Sequence, residues 1–181
     1  MVQLPTVAET DTREAVTATP LDDYELLDFG NGRKLERWGP YLVDRPDRQA
    51  TGEPADRNWQ ADWVFHAGIG REPYWDATRG DLPREWPVVL QGETVLCRPD
   101  HAGRVGVHGR DLICTAWVRQ RIEGCYDLED IRVLNLFGGN GYVTAQALKG
   151  GASVVHVEAD EGVLQLAMAN AGEQNVTWVH D

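Results

Sequence analysis

The sequence predicts an α/β protein: a parallel, doubly wound type of sheet preceded by a β-rich segment. Three observations carry this. The last fifty residues alternate apolar strand-like runs with helical patterns. A glycine cluster, Gly138-Gly139-Asn140-Gly141, sits at the first strand-to-helix junction. The residues before position 111 instead show short apolar runs separated by Gly, Pro and Asn turn signals.

The expected organisation has three parts: a tail over 1–22, a β-rich segment over 23–110, and a bridging helix with the first half of the sheet domain over 111–181. The tail is rich in Thr, Ala, Glu and Pro, has no basic and apolar leader pattern, and reads as disordered. Tyr24–Asp28, Leu35–Trp38, Tyr41–Asp44 and Trp63–Phe65 read as strands, with Gly30-Asn-Gly32 and Gly39-Pro40 as turns. Residues 68–87, dense in Gly, Pro and Trp, read as irregular. Val88–Leu90 and Val95–Arg98 read as a hairpin, and Arg104–Val107 as one more strand. From Leu112 to Glu123, Ile113, Ala116, Trp117 and Ile122 fall near helical spacing, with Gly124 as the stop.

Ile131–Phe137 is nearly continuous in apolar residues, which suits a parallel strand covered on both faces. Tyr142–Lys149 reads as a helix, Val154–Val157 as a second strand ending at Glu158, Glu161–Ala171 as a second helix, and Val176–Val179 as a third strand. Glycines between a strand and a helix let backbone approach a ligand closely. A carboxylate at the tip of the second strand can accept hydrogen bonds from a ribose diol. Together these features point to nucleotide binding. The dinucleotide fingerprint G-x-G-x-x-G is not met, since its third glycine would fall at Thr144 or Val143. A nicotinamide cofactor is therefore not supported.

Val133-Leu-Asn-Leu-Phe137 with Gly139 and Gly141 resembles motif I of class I S-adenosylmethionine-dependent methyltransferases. Within them it is similar to the branch of bacterial large-subunit ribosomal RNA cytosine methyltransferases. Val154–Ala159 and Val176–Asp181 are similar to the second and third strands of that family. Upstream, Gly32–Tyr41, Asp44–Pro46, Leu82–Trp86 and Gly106-Val107 also have counterparts, so the likeness runs from about Asp23 to Asp181.

The resemblance implies a methyltransferase Rossmann-like fold and S-adenosyl-L-methionine as cofactor. Asn135, Phe137, Gly138, Gly139 and Gly141 would line its methionine and ribose end. Glu158 would hold the ribose hydroxyls, and Asp181 would meet the adenine amino group. It also implies transfer of a methyl group to RNA, with ribosomal RNA as the narrower expectation.

Two departures stand out. His108-Gly-Arg-Asp111 replaces a family Phe-Pro-Glu-Gln, and no Asp-Pro-Pro or Asn-Pro-Pro occurs anywhere. The chain stops after the third strand, so the expectation is an incomplete or inactive methyltransferase with no assignable catalytic residue. The alternative is a non-catalytic fragment or interaction module derived from one.

Composition sets the remaining expectations. The net charge of −12 argues against tight non-specific nucleic-acid binding. Fourteen of the seventeen basic residues nevertheless lie between 24 and 123, so any phosphate contact would come from there, with Arg33, Lys34 and Arg37 as candidates. Cys97, Cys114 and Cys125 are odd in number and form no C-x-x-C pair. They read as small, partly buried side chains in a reducing cytoplasm. No metal-ligand spacing and no membrane-length apolar run occurs.

Overall fold

The computed structural model describes residues 23–68, 70, 72–125 and 131–181. The tail read over 1–22 lies outside them, as do the side chains of Ile113 and Arg110. Among the described residues, no helix is long and apolar enough to cross a membrane.

The N-terminal segment builds a five-stranded sheet from β1 (Tyr24–Gly30), β2 (Arg33–Trp38), β3 (Tyr41–Pro46), β4 (Trp63–His66) and β5 (Tyr74–Ala77), in that order. All pairs are antiparallel except β3 and β4. The turn between β1 and β2 places Asn31 and Gly32 both at positive φ, as the sequence signal required. A two-stranded antiparallel hairpin follows, β6 (Trp86–Leu90) and β7 (Glu93–Cys97), closed by Gln91 and Gly92. Trp38, Val43 and Trp63 of the sheet and Trp86, Val88 and Leu90 of the hairpin form one shared core, with Leu112 and Tyr142 from the C-terminal half packed into the same cluster.

A buried ion pair sits in this sheet. Arg45 donates to both carboxylate oxygens of Glu36, at 2.6 and 3.2 Å. Burial works to raise the Glu36 pKa, but Arg45 and Lys34 outweigh it and hold the carboxyl below its usual range.

Two readings of this segment change. Residues 68–87 are not wholly irregular, because β5 forms there. Its hold is tertiary: Trp75 packs on Trp63 and Phe65, and its indole N–H donates to the Asp100 carbonyl at 2.7 Å. Local propensity in a Gly- and Pro-rich stretch could not show this. Conversely, Arg104–Val107 is not a strand. The Asp100 carboxylate accepts from the backbone N–H groups of Ala102 and Arg104, which folds a turn, and Gly106 has φ +109°.

Helix α1 (Gly109–Glu123) ends at Gly124, as expected, but begins earlier than Leu112. His108 and Asp111 form a reciprocal capping box at its start. Trp117 does not face the core; it is exposed, with the Arg121 guanidinium 5.2 Å above its ring. Cys114 and Cys125 are likewise exposed rather than partly buried, and Cys97 alone is enclosed, its thiol pushed up to about 12 by burial.

The C-terminal part alternates β8 (Arg132–Leu136), α2 (Tyr142–Lys149), β9 (Ser153–Glu158), α3 (Glu161–Ala171) and β10 (Val176–His180). The three strands are parallel in the order β10-β9-β8. The expected α/β class, a parallel sheet behind a β-rich segment, is what the molecule shows. One feature of β8 differs. It is not covered on both faces: Leu134 is 62% and Leu136 55% exposed. Among the described residues, α2 and α3 cover only the opposite side of the sheet.

Candidate functional site

The loop from Leu136 to Gly141 leaves the carboxyl end of β8 and turns into α2, where parallel sheets of this kind take ligands. Its geometry is set from below by His156 on β9. A Cβ at Gly138 would stand 2.3 Å from the His156 ring, so only glycine lets the loop lie against it. At Gly141, φ is +82° and a Cβ would meet the Ala167 backbone at 2.7 Å. That glycine brings α2 close to α3.

A hydrogen-bonded chain runs beneath the loop. Asn135 Nδ2 donates to Thr144 Oγ1 at 3.0 Å, and Thr144 Oγ1 lies 2.8 Å from His156 Nδ1. The direction of that second bond follows the imidazole tautomer, because the hydroxyl can either donate to Nδ1 or accept from it. Burial lowers the His156 pKa against the opposing pull of Glu158, which keeps the ring neutral.

Above the loop lies a cleft of about 590 Å³. Its floor is Asn135, Leu136, Phe137, Gly138, Gly139 and Asn140. Its far wall comes from the N-terminal segment, through Arg98, Asp100, His101, Arg104, Gly106 and His108. The start of α3 closes one end with Asp160, Gly162 and Val163. Phe137 is 92% exposed and held at φ +54°, a conformation uncommon for an aromatic residue and a mark of imposed strain.

The residues singled out in the sequence divide accordingly. Asn135, Phe137, Gly138 and Gly139 line the cleft, and Gly141 lies beneath it as a packing residue. Glu158 is buried at the tip of β9. One of its oxygens accepts from Gly139 N at 3.0 Å and the other from Asp160 N at 3.0 Å. Asp181 is exposed, its N–H 3.4 Å from the Glu158 carbonyl, and does not line the cleft.

The sequence reading missed the wall from Arg98 to Gly106, as well as Asn140 and Asp160. Gly106 was hidden inside an apparent strand. Asp160 carried a readable signal, since it follows a strand tip and caps α3 by accepting from Val163 N at 3.0 Å. His108 and Asp111, at the departure from the family pattern, do reach the cleft. Arg33, Lys34 and Arg37 are paired with Asp44, with Glu36 and Asp47, and with Glu25 respectively. Among the described residues, no cluster of three or more His, Cys, Asp or Glu side chains could hold a metal ion.

A methyltransferase crystal structure from Agrobacterium tumefaciens, described as S-adenosylmethionine-dependent, superposes with a TM-score of 0.78 and 33% identity over 90% of this chain and 53% of that one. The fold is that of the S-adenosylmethionine-dependent methyltransferases. A candidate methyltransferase from Streptococcus mutans shares this fold at a TM-score of 0.60 and 13% identity, over 94% of this chain and 49% of its own. By sequence, the ribosomal protein L11 methyltransferase of Colwellia psychrerythraea is 30% identical over 127 residues, 67% of this chain and 40% of that protein. No family model matches. The chain thus spans about half the length of the Agrobacterium methyltransferase and two-fifths of the Colwellia one.

Proposed function

We propose that this chain carries the S-adenosyl-L-methionine-binding half of a methyltransferase site. The observation behind this reading is the cleft itself. A strained, glycine-rich loop at the carboxyl end of β8 faces a polar wall from the N-terminal segment, across a space of the size that ligand-binding clefts occupy. The likeness to methyltransferases over most of the chain supports the choice of ligand.

In this reading Asn135, Phe137, Gly138 and Gly139 contact the cofactor directly, and Gly141 sets the approach of α2. Glu158 keeps two unshared acceptor directions on oxygens already tied to Gly139 and Asp160, and these take ribose hydroxyls. Asp181, next to the Glu158 carbonyl, is placed toward the adenine end. The bound sulfonium supplies the methyl group. The chain's own part is to hold it in position and shield it from water, which is where most of the rate advantage of such a transfer originates.

The acceptor in this proposal is RNA, following the motif I resemblance to ribosomal RNA methyltransferases. A second reading, a protein acceptor, is favoured by one observation: Arg33, Lys34 and Arg37 are already paired with carboxylates, which reduces the charge that these three offer to phosphates. The curated Colwellia relative is named for methylating a ribosomal protein. Thermal unfolding separates the cofactor question from this one. S-adenosylhomocysteine raises the unfolding midpoint and NAD does not; the reverse outcome contradicts the proposal. Labelled methyl incorporation into unmodified ribosomal RNA against ribosomal protein then chooses the acceptor.

A further inference from the structure

A second pocket, of about 420 Å³, opens at the end of β1 and shares no lining residue with the cleft. Its size falls in the range of small-molecule sites, roughly 300–1,000 Å³. The β1–β2 turn, Arg33 on β2, Asp44 on β3 and the loop 54–60 build it.

That loop is anchored. The Asp28 carboxylate accepts from the backbone N–H groups of Ala55 and Asp56 at 3.1 and 3.0 Å, and from Trp59 Nε1 at 2.9 Å. Asn31 N donates to the Gly52 carbonyl at 2.8 Å. A Cβ at Gly30 would stand 2.3 Å from Pro54 N, so glycine lets the loop lie directly on the end of β1. Trp59 is thus held in the pocket wall by its own N–H.

Arg33 and Asp44 are fixed as a pair. Arg33 Nε donates to Asp44 Oδ1 at 2.7 Å, and Nη2 donates to the carbonyls of Asp44 and Phe65 at 3.3 and 3.0 Å. Among the described residues, Arg33 Nη1 and Asp44 Oδ2 take part in no hydrogen bond, although both residues line the pocket. A donor and an acceptor are therefore left over on a rigid pair.

The charged lining residues are Arg33, Arg57, Asp44 and Asp56, so their charges cancel. Such a lining does not select a phosphate. It suits a neutral planar ligand that both donates and accepts along one edge and offers a π-face to Trp59. Guanine has this edge: N1–H and N2–H donate together to one carboxylate, and O6 accepts from a guanidinium. Adenine and uracil present no two adjacent N–H donors. Single-stranded RNA exposes such edges to side chains while its bases stack on aromatic rings.

We propose that this pocket holds a guanine base of single-stranded RNA. Asp44 accepts from N1–H and N2–H, Arg33 Nη1 donates to O6, and Trp59 stacks on the ring. This rests on the RNA reading of the acceptor above, and gives the N-terminal segment a base-reading contact separate from the cofactor cleft.

The test is a nitrogen–proton correlation titration of the full chain with three RNA pentanucleotides, UUGUU, UUIUU and UUAUU, where I is inosine, which keeps N1–H and O6 but lacks the N2 amine. The Trp59 Nε1–H signal is assigned by its loss in Trp59→Phe. With UUGUU the Trp59 signal and the 55–60 amides should move, and the Gly139 amide should not. UUAUU should bind on the order of tenfold more weakly, with UUIUU in between. Asp44→Asn keeps an acceptor for Arg33 but turns a donor toward the base, and should abolish the preference for guanine over adenine. Trp59→Leu should weaken UUGUU about fivefold or more, and Trp59→Phe, which keeps an aromatic ring, should stay within about twofold of wild type. Equal affinity for UUGUU and UUAUU, or shifts that spare Trp59 and 55–60, overturns the proposal, and the wild-type spectra decide this even where a variant fails to fold. A Trp59 response to UUGUU without methyl uptake by ribosomal RNA upholds the pocket and rejects the RNA acceptor. Methylated ribosomal RNA with an unmoved Trp59 signal rejects the pocket alone.

Discussion

The two faces of the parallel sheet are built from the same residue types and behave differently. Val154 and Val155 are neighbours on β9. Val154 is 2% exposed and packs with Ile122, Ala147 and Ala152, whereas Val155 is 38% exposed beside Leu134 and Leu136. The first face also carries Asn135, His156 and Glu158, so every polar group that shapes the loop lies on the covered side. Apolar character alone therefore marks a strand for burial on both faces without determining which face is closed by these residues. The polar chain under the loop is what gives the covered face its function.

The largest effect should come from the contact that holds the loop down. Gly138→Val would force the loop off the His156 ring and should cost on the order of 3 kcal/mol or more, read as a fall in unfolding free energy in denaturant. Gly139→Ala has open space and a positive φ, so its cost should be about 1–2 kcal/mol. Similar costs at the two positions would mean that backbone strain, not the His156 contact, fixes the loop.

Next in size is the direct comparison of faces. Val154→Ala should cost about 2 kcal/mol through lost packing. Val155→Ala should stay within about 0.5 kcal/mol, as exposed substitutions do. If chemical denaturation finds the two equal, the outer face is covered in solution.

A smaller effect is pH-dependent. His156 has a lowered pKa in the folded state, so the unfolded chain binds its proton first as pH falls. Its contribution is intact above the ordinary histidine range and is lost as pH drops through about 6.5. Stability of the wild type should therefore fall between neutral pH and the folded pKa of His156, and His156→Gln should flatten this part of the profile. An unchanged slope in the variant would show that His156 is not the group responsible.

Much of this was legible in the sequence. The apolar run before Gly138, the helical spacing after it and the paired glycines placed the loop correctly between β8 and α2, because each is a local signal with one structural solution. The β1–β2 turn was readable for the same reason, since Asn31-Gly32 meets a positive-φ requirement. What stayed hidden depends on distant partners. β5 exists through the Trp75 contacts, and the cleft wall arises from a turn at Asp100 and Gly106 brought 30 residues back onto the loop. Glu158 could be named as a strand-tip carboxylate, yet that both its oxygens would be tied to backbone N–H groups required the loop's actual path.

The central claim is that the cleft between the glycine loop and the Arg98–His108 wall receives S-adenosylmethionine. Hydrogen–deuterium exchange with and without S-adenosylhomocysteine tests it most directly, because it reports on both sides of the cleft at once. Protection should rise together at 135–143 and 98–108, with the β1–β5 sheet unchanged. Protection confined to the β1–β5 sheet, or none in either wall at millimolar ligand, would contradict the claim.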